Sequence, residues 1–389
     1  MEQVYIDTAR TEKEEIILNI ASYCSLFALM LQMLMYAIFG GSSIIHIGVL
    51  IIAAIPTLLA FPIWLRRDIN KVIIPYLTFL VVFLFQYILF VDSREFMTEY
   101  LFQFLFMCIP AYISMSLKQD YEIEKSTLIK ISFLIFIMGV FYFGLVLAGR
   151  INWGNHSYNM SYSYYMLLPA LVFTHKFFER LHLIDLMIMV AAVITILMLG
   201  SRGPLLCWIV YFAFNMYFSN IGIVFKFAWS IVLGMVLLAF NSIIEFLIPV
   251  LSIFGINSRS LEYFLSGELI TNSGGRDIIF DTIWNLIKTN PFMGNGIGAD
   301  ISATGQYSHN LFLDLLLHYG IFLGGGMILL LLFIILKAYR NTEEKSIWLM
   351  FLCAGFIPAM VSGTYLTSML LWIFIGYCRR YTSLRIKLI

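Results

Sequence analysis

Residues 274–324 read GGRDIIFDTIWNLIKTNPFMGNGIGADISATGQYSHNLFLDLLLHYGIFLG. Sequence on both sides is dominated by long apolar runs, so this stretch is the tail of one extended polar interruption. It holds an arginine at the start of a helical pattern (Arg276) and a glycine-rich run (Gly294, Gly296, Gly298). A histidine (His309) stands where the next apolar run begins. Ionisable and polar groups beside a bilayer are costly and usually have a task.

The surroundings settle the class. The chain has 389 residues, 61% hydrophobic and 12% charged, with mean hydropathy +0.90. The charged share is roughly half that of an ordinary soluble domain. A spanning helix needs ~20 mostly apolar residues. Such runs are expected at 16–39, 44–65, 72–91, 96–117, 127–148, 160–178, 182–200, 203–219, 221–249, 309–336, 346–362 and 364–379. The fold class is therefore all-α: a polytopic membrane protein of about twelve spans, with residues 1–389 forming a single domain. The first run is too long for a signal-peptide core and lacks a small-residue cleavage site, so it is expected to remain as a span. Cys24, Cys108, Cys207, Cys353 and Cys378 all lie in apolar runs. They have no metal-ligand spacing and imply no disulfide framework.

Alternating connections divide the 24 lysines and arginines unequally. Arg10, Lys13, Arg66, Arg67, Lys71 and most of the others fall on one side. Arg94, Arg150, Arg202, Arg259, Arg276 and Lys288 fall on the other. The richer side is cytoplasmic by the positive-inside rule. Both termini are then cytoplasmic, and the large loop from about 250 to 308 is extracytoplasmic. A net charge of +1, divided by a membrane, gives no basis for a nucleic-acid partner.

The outer cations are nearly all arginine, whose planar fork suits phosphate and carboxylate oxygens. Snorkelling to lipid headgroups is the plainer alternative for each. Arg202 sits in GSRGP, a turn too short to leave the membrane, with Pro204 placed for the first turn of the following helix. Arg150 opens RINWGNHSYNMSYSYY, whose Trp153 and tyrosines suit either an interfacial aromatic belt or stacking on sugar rings. In the large loop, Ser258, Arg259, Ser260 and Glu262 form a polar cluster. Ile279, Phe280, Ile283, Trp284 and Ile287 then recur at helical spacing. They predict an amphipathic helix on the outer membrane surface, ended by Asn290-Pro291. Arg276 in its first turn opposes the helix dipole, which points to an anionic partner.

GNGIG follows no strand and lies outside the cytoplasm, so it is not a nucleotide-binding loop. It is expected to be a tight turn against a ligand. Ser308 is the expected cap of the next helix, which would put His309 at the water–membrane boundary as a base or hydrogen-bond partner. Asp314, one turn in, could bind a polar substrate group. His318 lies nine residues after His309, so on one ideal helix the two face opposite sides. No histidine pair has metal-ligand spacing.

GSRGP, a large outer loop, then GGRD…NPFMGNGIG…SHNLFLDLLLHYGIFLG is an ordered set. It resembles the O-antigen ligase and polymerase superfamily, which includes Wzy-type polysaccharide polymerases and WaaL-type ligases. The resemblance implies a bacterial inner-membrane glycosyltransferase using undecaprenyl-pyrophosphate-linked glycans on the outer face. The family's pyrophosphate-holding arginines match Arg202 and Arg276, and its essential histidine matches His309. Arg259 is a looser match. Tyr307, Asn310, Asp314 and Arg150 are the further substrate-binding candidates. The leaving pyrophosphate is already anionic, so no cofactor and no metal are expected. A chain-length regulator and a flippase are the implied protein partners.

Polymerase is the expected activity. Transfer of the glycan to lipid A core, as in a ligase, is the alternative. A transporter for lipid-linked sugars would need alternating access, and no internal repeat is visible. A membrane glycosyltransferase with acids in its first outer loop fits less well. Gly40-Gly41-Ser42-Ser43 has none, although Asp92 and Glu95 follow in the next outer loop.

Overall fold

A computed structural model describes residues 2–40, 43–117, 119–148, 150, 160–199, 201–219, 221–253 and 275–382. Among these, every regular element is helical. In chain order the helices are α1 Glu2–Phe39, α2 Ser43–Asp68, α3 Asn70–Leu89, α4 Arg94–Gln103, α5 Ile109–Ser116 and α6 Tyr121–Leu147. Then come α7 Met160–Arg180, α8 Leu183–Met198, α9 Arg202–Phe218, α10 Ile223–Leu238 and α11 Phe240–Ile253. The last are α12 Arg276–Thr289, α13 Ala299–Thr304, α14 Leu311–Asn341, α15 Lys345–Phe351, α16 Ile357–Val361 and α17 Met369–Thr382.

Among the described residues, five helical stretches are long and apolar enough to cross a bilayer: Thr11–Phe39, Ile47–Asp68, Asn70–Leu89, Tyr121–Leu147 and Leu311–Asn341. A sixth arises if the pair Val91–Thr98 and Tyr100–Ser116, bent by 45°, is one span. Shorter apolar helices include Leu183–Met198 and Lys345–Val361. The run expected as one span at 221–249 is two helices, α10 and α11, parted at Ala239. Along α3 the residues Ile73, Leu77, Leu80, Leu84 and Ile88 form an exposed apolar stripe. A stripe of that length is stable only against lipid, and the protein is membrane-embedded.

The chain divides into two compact units. One comprises Met1–Ala28, Gly48–Thr127 and Gly274–Ile389; the other comprises Leu29–Ile47 and Leu128–Ser273. In the second, α7 packs on α8 and α9 around Phe173, Phe177, Phe178, Met189 and Phe212. Trp208 donates its indole N–H to Thr174 (3.0 Å), and Lys176 pairs with Asp185 (2.8 Å).

In the first unit α17 packs on α5, with Gly376 against the Tyr112 carbonyl. Two π-helical turns, Phe104–Cys108 and Leu352–Phe356, each lead to a proline, Pro110 and Pro358. Proline removes a backbone donor and crowds the preceding turn, and a wider turn relieves both. Buried Arg380 meets both oxygens of Glu124 at 2.7 and 3.0 Å. The five cysteines are buried and free.

Candidate functional site

The site is built within the first unit, from α12 onward. Gly275, with φ 85°, turns the chain into α12. Ile283 and Ile287 are buried, and with Ile279 and Leu286 they pack on Ala299, Leu313, Leu316 and Leu317. The amphipathic helix expected on the membrane surface thus has much of its apolar face covered by protein. Asp277, Asp281 and Lys288 are exposed, and Arg276 is half-buried. Among the described residues no carboxylate lies within ion-pair distance of Arg276.

Asn290 ends α12, and the GNGIG turn that follows does something the sequence does not announce. Helix α14 breaks at Gly320 (φ 73°, ψ 176°). A break inside a span exposes backbone polar groups that lipid cannot satisfy. The turn supplies partners: Asn295 N–H donates to the Leu317 carbonyl (2.7 Å), and Ile321 N–H donates to the Pro291 carbonyl (2.7 Å). Gln86 of α3 joins both, donating to the His318 carbonyl (3.4 Å) and accepting from Ile297 N–H (3.3 Å). A Cβ at Gly294 would lie 2.6 Å from the Gly320 nitrogen, and one at Gly320 would lie 2.2 Å from the Phe292 oxygen. The expectation that these glycines hug a ligand is corrected: Gly294 makes room for the chain's own broken helix, and Gly296 and Gly298 make room for Phe90 and Phe96.

Helix α14 is capped by Asn310, whose side-chain oxygen accepts from Phe312 N–H (3.0 Å) and Leu313 N–H (3.1 Å). Asn310 also donates to the Met360 carbonyl (3.2 Å). The cap lies two residues later than the expected Ser308. Ser308 instead donates its hydroxyl to Asp314 and receives Asn310 N–H (3.1 Å). Its own N–H donates to Asp300 (3.1 Å). Between these two anchored residues stands His309, with φ 58°. A left-handed backbone at a non-glycine residue costs roughly 1–2 kcal/mol and persists only where its surroundings impose it.

The imidazole of His309 is half-buried beside the Tyr307 ring, centroids 4.3 Å apart. The Tyr307 hydroxyl donates to the Ser362 carbonyl (3.4 Å), and that carbonyl also favours the protonated form of the imidazole. The His309 Nδ1 is buried and has no partner. Burial, reinforced by the Arg276 charge, pushes this imidazole down to about 4; the Ser362 carbonyl and the Asp300 carboxylate pull weakly the other way. The neutral ring therefore prevails at pH 7.

Behind the turn lies a buried polar chain. Asp300 faces His318 Nε2 (3.4 Å), His318 Nδ1 bonds to the Tyr365 hydroxyl (3.0 Å), and Tyr365 bonds to Tyr319 (3.0 Å). Burial would raise the Asp300 carboxyl. The hydrogen bond and charge of His318, with the N–H groups of Ile301 and Ser308, outweigh burial and hold it below the ordinary carboxylate range. Asp300, Asp314 and His318 place donor atoms within 4.8 Å of one another, near enough to hold a metal ion. Hydrogen bonds already engage His318 through both ring nitrogens, Asp300 through both oxygens and Asp314 through one.

Arg276, Tyr307, His309, Asn310 and Asp314 thus belong to one unit. Tyr307 and Asn310 hold the turn, and Asp314 is wholly buried behind it. Arg202 opens α9 in the other unit, half-buried and hydrogen-bonded or paired, with Gly203 against the Tyr164 hydroxyl. Arg150 is exposed in that same unit. Arg259, with Ser258, Ser260, Glu262, Trp153 and His156, lies outside the described residues. Sequence reasoning passed over Asp300, Gln86, His318, Ser362 and Tyr365. The spacing of Asp314 and His318, four apart in one helix, was the available signal for a shared face. Comparison of the chain with protein-family models, with curated proteins and with solved structures finds no match.

Proposed function

We propose that this protein is a Wzy-type polysaccharide polymerase of the bacterial inner membrane, with about twelve spans, cytoplasmic termini and chemistry on the outer face. A hydroxyl of one lipid-linked repeat unit attacks the anomeric carbon of another. The bond from that carbon to the pyrophosphate oxygen breaks, and its electron pair leaves with undecaprenyl pyrophosphate. The hydroxyl proton goes to His309, and the anomeric centre inverts. Arg276 stabilises the charge developing on the leaving pyrophosphate, a positioned electrostatic role.

One observation supports this reading most. His309 is held in an unfavourable backbone conformation with a bare, buried Nδ1 and a lowered proton affinity, in the field of an arginine. A neutral imidazole is the form in which His309 can take the hydroxyl proton as a general base. Reconstitution with purified lipid-linked repeat units tests the proposal. A ladder of products is expected. Transfer to lipid A core alone would make the protein a ligase, and flipping without elongation would make it a transporter.

A further inference from the structure

The polymerase reading uses His309 and Arg276 and leaves the buried carboxylate of Asp300 without a role. Asp300 stands in the first turn of α13, two residues after Gly298, and is almost fully buried. Ser308 N–H binds one of its oxygens and His318 Nε2 faces the other. Ser308 is the neighbour of His309, so the carboxylate grips the backbone that holds the imidazole in its left-handed conformation. The grip is rigid from behind, because His318 is itself tied to Tyr365 and Tyr365 to Tyr319.

We infer that Asp300 is a positioning residue for His309: it holds the 308–309 backbone in register, and the part of its negative charge not matched by His318 offsets the imidazolium formed when His309 takes a proton. The inference rests on the polymerase reading for its catalytic meaning. A carboxylate anchored by backbone and side-chain donors needs no reorganisation when charge appears nearby, which makes it effective in a dehydrated site. It also opposes Arg276. The arginine keeps His309 neutral before reaction, and the carboxylate limits the cost of charging it during reaction. The Asp300 charge shifts the His309 proton affinity upward and the Arg276 charge shifts it downward.

The charged and titratable groups facing His309 are Arg276 from α12, Asp300 from α13 and Tyr307 from the intervening segment, with the Ser362 carbonyl opposite. Asp314 and His318 of α14 reach it through Ser308 and Asp300.

Asp300→Asn removes the charge and keeps an oxygen able to accept from Ser308 N–H. Two readouts apply to purified full-length protein. The first is turnover on undecaprenyl-pyrophosphate-linked repeat units extracted from host cells that lack the polymerase. The second is the His309 titration, followed by ¹³C-histidine NMR in detergent and assigned by loss of its signal in His309→Ala. In Asp300→Asn, kcat should fall roughly tenfold with KM little changed, and the His309 titration should move to lower pH by about 1. Asp300→Glu restores the charge and should return the titration toward wild type, so it serves equally if the asparagine variant folds poorly.

A loosened structure would instead wet His309 and move its titration up, toward the ordinary ~6.5, and that result overturns the inference. Unchanged turnover and titration in Asp300→Asn overturn it as well, while an inactive His309→Ala leaves the polymerase reading standing. If His309→Ala polymerises normally, the functional reading fails. The titration then still decides whether Asp300 and His309 are coupled.

Discussion

Glu124 and Asp300 are both buried carboxylates of the same unit, and they are closed off to different degrees. Glu124 meets the guanidinium of Arg380 through both oxygens, and the rings of Tyr377 and Tyr381 lie 5.3 and 5.8 Å from that guanidinium. Cation and anion answer each other there. Around Asp300 the protein's own groups match the carboxylate, yet the same neighbourhood leaves an arginine without a described carboxylate and a histidine nitrogen without a donor. A buried ion pair matched through both carboxylate oxygens has a structural meaning. Groups left open in a costly place wait for something from outside.

Breaking the open region should have the largest effect on activity. His309→Ala should lower polymer formation by about 10³-fold in protein that still runs as a single species on size exclusion. Wild-type chain lengths from this variant would remove the histidine from the mechanism. Breaking the closed region should do the opposite. Arg380→Ala leaves Glu124 buried without its partner and should cost about 3–5 kcal/mol of stability, read as a lower thermal midpoint in detergent. Turnover per folded molecule should stay at the wild-type level.

Arg276→Lys keeps the charge and loses the fork. A fall of roughly tenfold in kcat is expected, equivalent to about 1.4 kcal/mol of transition-state stabilisation; full activity would rule out bidentate phosphate contact.

The pH dependence sharpens the comparison further. Burial and Arg276 hold His309 near 4, so the base is lost only as pH falls through that region. The acid limb of kcat/KM, which reports the free enzyme, should lie near 4 and well below the ~6.5 of an ordinary histidine. Substituting Arg276 by Met should move that limb upward. The smallest effect is expected from metal removal: EDTA should change turnover less than about twofold, because the leaving pyrophosphate is stabilised by arginine in the proposed step.

Much of this region was readable as sequence. The helix at 276–289 followed from apolar spacing, its end from Asn290-Pro291, and the position of His309 ahead of an apolar run from composition. What could not be read is long-range or conformational. The nine-residue spacing of His309 and His318 suggested opposite faces on the assumption of one helix. His309 lies before the cap with φ 58°, so that phase argument fails, and His318 joins the network behind it. Gln86 carries no signal in the sequence, because its partners, Ile297 and His318, are more than 200 positions away. Periodicity likewise carried 221–249 through as one run, because apolar residues on both sides of Ala239 give no sign of the break.

The break in α14 also bears on how the protein is made. A helix interrupted at Gly320 cannot settle in lipid while its freed backbone groups lack partners. Those partners, Gln86, Pro291 and Asn295, all precede residue 320 in the chain. The ribosome therefore releases the repair before the damage. The interrupted span meets a waiting surface as it arrives, and insertion of this region becomes directional, from the amino-terminal side forward.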